Sequence, residues 1–242
     1  MENHTMLDIL ILIARPGAGK SEIIDYLKQT PMDQRADRFH VGKILEFDDF
    51  PVLWTWFEQD HLLSQMGKAR LFSDNDGYFL HQYYWDLLIE FLCLQYAKAL
   101  HKGEVEKGVT SLFEFARGVE HGGYQSAFSH LSEAVLTRAS ILYVNVSWEE
   151  SLRKNRKRFN PDRPDSILEH SLPDEKLTRL YRDTDFFELA KEDPDYLSIK
   201  GIRVPYAVFE NEDDVTAARG DLLGKRLEVC LSKLWLARAS SD

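Results

Sequence analysis

The chain has 242 residues, 44% of them hydrophobic, and a formal net charge of -10 at pH 7. That size and apolar content support one large domain, or one domain with an insertion, without disulfide or metal staples. The acidic balance argues against general DNA or RNA binding, because phosphate backbones require lysine and arginine; any phosphate site must be a local basic patch.

Residues 6–14 are apolar but contain Asp8 and are too few to span a bilayer. They lack the basic leader and cleavage site of a signal peptide, so the expectation is a soluble cytoplasmic protein with no membrane association. Within this run, residues 7–13 are short, β-branched and end at turn formers, which predicts a buried parallel strand. Residues 21–29 predict a helix with Ile23, Ile24 and Leu27 on one face, and residues 39–47 a second strand closing on Asp48-Asp49. Residues 50–108 break the alternation: they are aromatic-rich and mostly helical. From Leu80 onward, Tyr84, Leu87, Leu88, Phe91 and Leu94 recur at helical spacing, predicting one helix face. Cys93 here and Cys230 further on stand far apart in helix-like stretches and predict reduced core thiols, not a disulfide or zinc site.

Residues 109–115 predict a third strand, 118–123 a glycine-rich loop, 124–138 a helix and 141–146 a fourth strand. Ser147-Trp148-Glu149-Glu150 has the spacing of a capping box. The helix it opens runs into the basic stretch Arg153-Lys154-Asn155-Arg156-Lys157-Arg158. Residues 160–200 are charged and proline-punctuated, with a helix over about 174–191. Residues 202–210 predict the fifth strand, and Leu223, Leu227, Cys230, Leu231 and Leu234 mark a C-terminal helix. Strands alternating with helices predict an α/β fold: five parallel strands with helices on both faces. We expect a single domain over 1–242, with a helical insertion at about 50–108 and a lid-like segment at about 153–200. Ligands of such sheets bind beyond the carboxyl ends of the strands.

The decisive stretch lies between the first strand and first helix: Arg15-Pro16-Gly17-Ala18-Gly19-Lys20-Ser21. Small residues let successive backbone N–H groups point at phosphate oxygens. Lys20 supplies a cation for the terminal phosphates and Ser21 a hydroxyl for Mg²⁺. The helix that follows favours an anion at its N-terminus. Ala14 stands where the usual motif has its first glycine. The stretch resembles the loop of P-loop kinases for nucleosides, nucleotides and other small molecules, and its Pro-Gly-Ala-Gly-Lys wording is similar to adenylate-kinase-like enzymes. The resemblance implies the three-layer P-loop sandwich, with ATP and Mg²⁺ as cofactors and residues 15–21 as the nucleotide cradle.

Asp48 and Asp49 follow the second strand, where the uridine-kinase and nicotinamide-riboside-kinase group has an Asp-rich turn facing the acceptor hydroxyl. Either carboxylate is a candidate to take the acceptor proton, orient the hydroxyl or help hold Mg²⁺. Glu114, at the end of the third strand, resembles a Walker B acid, which makes Ser21, Asp48 and Glu114 the candidate metal ligands. Glu114 with Arg117 is similar to the Glu-Arg pair of deoxynucleoside kinases. Arg117 is a candidate clamp for a phosphate or carboxylate, the alternative being a structural ion pair with Glu114. Arg153, Arg156 and Arg158 lie where adenylate-kinase-type enzymes place lid arginines around the transferring phosphoryl group. The competing account of that run is a solvated basic helix end.

The aromatic residues crowding 54–85 read mostly as core of a helical subdomain, with one or two lining a pocket. The substrate-reading motifs of adenylate, thymidylate and guanylate kinases are missing, so the acceptor stays open. The expectation is a phosphotransferase moving a γ-phosphate to a hydroxyl or phosphate of a small molecule. Its rivals are a P-loop NTPase that couples hydrolysis to a partner, a non-catalytic nucleotide-binding module and, more weakly, a sulfotransferase.

Overall fold

Ile9, Ile11 and Ile13 alternate with Leu10 and Leu12 along β1 (Ile9–Ala14), so both strand faces are apolar and every residue of it is buried. A strand of this kind must lie in the middle of a sheet covered on both sides. In the computed structural model, which describes residues 6–158 (without the Arg158 side chain) and 172–240, it does. The loop after β1 leads into α1 (Lys20–Gln29), and a short polar helix α2 (Met32–Phe39) precedes β2 (Lys43–Asp48). Helices α3 (Phe50–Gln65) and α4 (Tyr83–His101) separate β2 from β3 (Val109–Phe115). A 3₁₀ turn at Val119–His121, α5 (Gly123–Ser129) and α6 (Glu133–Leu136) lead to β4 (Ala139–Asn145). Then follow α7 (Trp148–Arg158), α8 (Asp174–Tyr181), α9 (Phe186–Leu189), β5 (Tyr196–Ile199), β6 (Ile202–Glu210), α10 (Val215–Ala218) and α11 (Asp221–Ala239).

The strand order is β2-β3-β1-β4-β6-β5. The first five are mutually parallel, and β5 pairs antiparallel with β6 at the edge. The expected five-stranded parallel sheet is therefore corrected to six strands with one antiparallel pair. The physical reason lies in Lys200 (φ 54°) and Gly201 (φ 79°). Two successive left-handed residues make the tight hairpin turn that folds β5 back on β6.

Ile9, Ile11, Ile13, Phe113, Phe115, Ile141 and Tyr143 pack on one face against α4, α5 and α9. Leu10, Leu12, Leu112, Leu142, Val144 and Phe209 pack on the other against α1, α2 and α11. The result is three layers. Three expectations shift by a helix phase or a break. The buried face of α4 is Trp85, Leu88, Ile89, Leu92, Cys93 and Tyr96, while Leu87 and Leu94 are exposed. That helix is apolar nearly all round, so spacing alone does not select its inner face. The single helix expected over 124–138 is two, interrupted between Ser129 and Glu133, and that over 174–191 also breaks in two. Cys93 and Cys230 are buried and unbridged. Among the described residues no helix is long and apolar enough to cross a membrane.

Candidate functional site

The chain leaves β1 at Ala14 and enters α1 at Lys20, and the loop between owes its shape to Gly17 (φ 75°) and Gly19 (φ 110°). Both lie in the left-handed region that side chains disfavour. A Cβ on Gly19 would stand 2.6 Å from Thr216 Oγ1 and 2.7 Å from Asn211 Nδ2. Asn211 holds the loop from behind: its Nδ2 donates to Ala18 O at 2.8 Å and to Thr216 Oγ1 at 2.8 Å. Ser151 Oγ on α7 donates to Pro16 O at 2.8 Å. Arg15 donates to the carbonyls of Tyr181 (3.2 Å), Val146 (3.0 Å) and Arg182 (3.0 Å), tying the loop to α8. Arg15 is thus engaged with backbone and does not line the cleft, whereas residues 16–21 do.

The cleft above the loop measures ≈ 600 Å³ and lies beyond the carboxyl ends of β1, β2 and β3. Asp48 and Glu114 enter it from directly paired positions of β2 and β3. Lys20 Nζ stands 3.8 Å from Glu114 Oε1. Burial, then the charges of Glu114 and Asp49, push the Asp48 carboxyl up to about 7; the Phe50 N–H and Lys20 oppose them. A carboxyl poised near neutrality in a cleft has the properties of a general base.

Asp49 differs from its neighbour. Its carboxylate accepts a hydrogen bond from Arg117 Nη1 at 2.6 Å, and both side chains are buried. Burial pushes the Asp49 carboxyl up, and the Arg117 guanidinium opposes it. Arg117 also donates to Ala116 O at 2.7 Å and Trp85 O at 3.0 Å. Its guanidinium lies over the rings of Trp85 and Phe115, at 5.2 and 5.5 Å from their centroids. The ion pair of Arg117 is therefore with Asp49 and not with Glu114, which faces Lys20 instead. His121 stacks on Trp85 at 3.7 Å, and burial followed by the Arg117 charge holds it well below its ordinary pKa, as a neutral ring.

No protein-family model matches the chain, and no curated protein does. Solved structures match the chain, two of them over 93% of its length. Shikimate kinase from Acinetobacter baumannii, in complex with shikimate, is 14% identical with a TM-score of 0.41, covering 93% of each chain. A sugar kinase from Janibacter sp. is 11% identical with a TM-score of 0.41, covering 93% of this chain and 94% of that one.

The basic helix presents a different face from the one its arginines suggest. Arg153 is exposed and bonds Glu150 (2.6 Å) and Asp214 (3.0 Å); Arg156 is exposed and bonds Asp174 (2.6 Å). Neither lines the cleft, and the Arg158 side chain lies outside the described residues. Lys154, Asn155 and Lys157 line it instead. Lys154 lies against the phosphate loop, its Cβ 3.3 Å from where a Gly17 Cβ would be, and its Nζ pairs with Asp214 Oδ1 at 2.5 Å. The phase of α7 carries the missed signal: Trp148, Leu152 and the buried Ser151 and Asn155 mark its inward side, and Lys154 flanks them. The cap expected at its start is half of a capping box. Ser147 Oγ accepts from Glu150 N at 3.1 Å, but Glu150 turns to Arg153 and Glu212 takes the Ser147 N–H. Most aromatics of 54–85, among them Trp56, Phe57, Phe72, Phe79 and Tyr84, pack on one another. Phe50, Leu53, Trp85 and Tyr181 line the cleft.

Among the described residues there is no cage of three or more His, Cys, Asp or Glu. The donor set fits a hard cation all the same. Mg²⁺ takes one or two carboxylates and leaves its remaining positions to water and phosphate. Asp48 and Glu114, which line the cleft together with Ser21, supply that number. The left-handed loop and the N-terminus of α1 fit a polyphosphate.

Proposed function

We propose that this protein is an ATP-dependent phosphotransferase that moves a γ-phosphate to a hydroxyl of a small molecule. The observation that carries the reading is the paired placement of Asp48 and Glu114 beside Lys20, over a glycine loop that opens α1. Bound Mg²⁺·ATP supplies the phosphoryl group and a divalent charge that offsets the negative charge of the transferring oxygens. Residues 16–21 would hold the nucleotide phosphates, and Ser21 and Glu114 the metal, beside Asp48. Lys20 neutralises charge on the terminal phosphates, and Lys154 approaches the same loop from α7. Asp48 orients the acceptor hydroxyl and takes its proton at a carboxylate oxygen; Asp49, already bound to Arg117, does not. Catalysis of this kind is positioning and charge stabilisation, with no covalent enzyme intermediate.

In this reading residues 50–108 form the acceptor side; of the expected lid-like segment at about 153–200, residues 159–171 lie outside the described residues, and Phe186, Leu197 and Ile199 belong to the core under the sheet. Two buried thiols accord with a cytoplasmic location. The test is thermal stabilisation by Mg²⁺·ATP in the native protein and in Lys20→Ala, followed by turnover with a panel of hydroxyl acceptors. Stabilisation lost in the variant, with acceptor-dependent ADP release, supports the kinase. ADP release that ignores every acceptor supports an NTPase, and an equal shift in both proteins rules out the phosphate loop as the nucleotide site.

A further inference from the structure

The residues around Arg117 point to the charge class of the acceptor, an inference that rests on the kinase reading above. Five cations line the cleft among the described residues: Lys20, Lys28, Arg117, Lys154 and Lys157. Lys20 ends the phosphate loop and Lys154 lies against it, at the donor end, and Lys157 follows Lys154 by three residues on the same side of α7. Lys28 Nζ is held by Glu46 Oε1 at 2.5 Å. Arg117 is thus the one cation of the five at the acceptor end without a lysine's freedom to swing. It is 1% exposed, fixed by the Asp49 carboxylate and by the carbonyls of Ala116 and Trp85, and flanked by the rings of Trp85 and Phe115.

An anionic group entering this end meets a guanidinium whose charge Asp49 already offsets, and displacing Asp49 from that buried pair is strongly unfavourable. It also meets Asp48 and Glu114, and like charges at short range in a low-dielectric cleft repel. Phe50, Leu53, Trp85, Phe115 and Tyr181 add an apolar and aromatic wall to a lining that also carries the acids Glu22, Asp25, Glu46 and Asp214. We propose that Asp49 is the specificity-determining residue of the acceptor site. By occupying Arg117 it makes the site take an uncharged, hydroxyl-bearing molecule with an apolar or flat body, and refuse phosphorylated or carboxylated ones. This is selection by a repulsive element built into the site, with the attractive contacts left to the apolar wall.

The experiment uses acceptor pairs that keep the same hydroxyls and differ in charge: uridine against orotidine, and glucuronamide against glucuronate. Thermal shifts are read with Mg²⁺·ADP filling the donor end, and kcat/KM is read with Mg²⁺·ATP. The expected result is a preference of about tenfold or more for the neutral member of a set, since like-charge placement suppresses wrong partners by at least that much. In Asp49→Asn, which frees the guanidinium, the preference falls or inverts, chiefly through KM, and the anionic member gains a thermal shift. Asp49→Glu, which keeps the charge, restores the native preference. A native protein that favours the anionic members overturns the inference and leaves the kinase reading intact. So does an Asp49→Asn protein with unchanged selectivity. No response to any acceptor, with acceptor-independent ADP release, removes the kinase reading and this inference with it. Where Asp49→Asn does not fold, the native comparison still decides the substrate class.

Discussion

Replacing Asp48 by asparagine should abolish phosphoryl transfer and at the same time stabilise the protein. The carboxyl stands at about 7 against an ordinary 3.8, because it is buried beside Glu114 and Asp49. The native state therefore holds its proton at pH values where the unfolded chain has lost it. As the pH rises from about 4 to 7, stability falls, since the unfolded state binds fewer protons than the native. Above pH 7 the ionised carboxylate imposes the full penalty. A gap of about three pH units at ~1.4 kcal/mol each puts this on the order of 4 kcal/mol. The amide keeps the shape without the charge. Urea titrations of both proteins in metal-free buffer should then give equal stabilities near pH 4 and a gap that widens to a few kcal/mol by pH 8. Mg²⁺ should narrow that gap, because it stabilises only the protein with the carboxylate. A difference that does not vary with pH, or an asparagine variant less stable at pH 8, would refute the electrostatic account of the site.

Three further outcomes follow from other parts of the molecule. Gly19→Ala, at φ 110° with its new methyl 2.6 Å from Thr216 Oγ1, should cost about 1–2 kcal/mol from backbone handedness alone and abolish Mg²⁺·ATP stabilisation, read by thermal shift. Lys154→Met should weaken Mg²⁺·ATP binding by about tenfold, as expected for a lost phosphate contact, whereas Arg153→Ala should change it little; isothermal calorimetry of both separates inward from outward positions on α7. Asp60→Ala should destabilise the α3–α4 region by about 3–5 kcal/mol, because the N–H groups of Leu71, Phe72 and Ser73 and the Ser73 hydroxyl lose the buried carboxylate they donate to. Burial pushes the Asp60 carboxyl up, but those bonds overcome it and hold the group below its ordinary value. The stability it confers is therefore complete above about pH 4 and lost below, which near-UV circular dichroism of the surrounding aromatics should follow.

The central strands and the phosphate loop were legible in the chain because their signals are local. β1 is a continuous apolar run and β3 a mostly apolar one, and the residues of 16–21 have few alternatives at that junction. Long-range pairing left no such trace. Arg117 stands three residues after Glu114 and looks like its partner, yet it reaches back 68 residues to Asp49 because Glu114 is turned toward Lys20. The loop from Asn211 to Thr216 buttresses Gly19 from the far end of the chain, and its composition says nothing of that role. On α4 an apolar surface on all sides hid the buried face, and on α7 counting arginines drew attention to the side that faces solvent.

The two aspartates show why such a site cannot be assigned by composition. Adjacent in sequence, they end in opposite electrostatic conditions: Asp49 lies against the Arg117 guanidinium, while Asp48 shares its space with another acid. The first arrangement gives a fixed charge pair, useful for shape and selectivity. The second gives a carboxyl whose proton is exchangeable near neutral pH, useful for chemistry. Nothing in the dipeptide decides which residue takes which part. The decision is made by the crossover of β3 next to β2, which sets Glu114 directly opposite Asp48 and carries Arg117 just beyond the strand, within reach of Asp49. Moving that pairing by one residue would exchange the faces on which these side chains emerge. The register between β2 and β3 is therefore as much a determinant of the proposed chemistry as any side chain in the cleft.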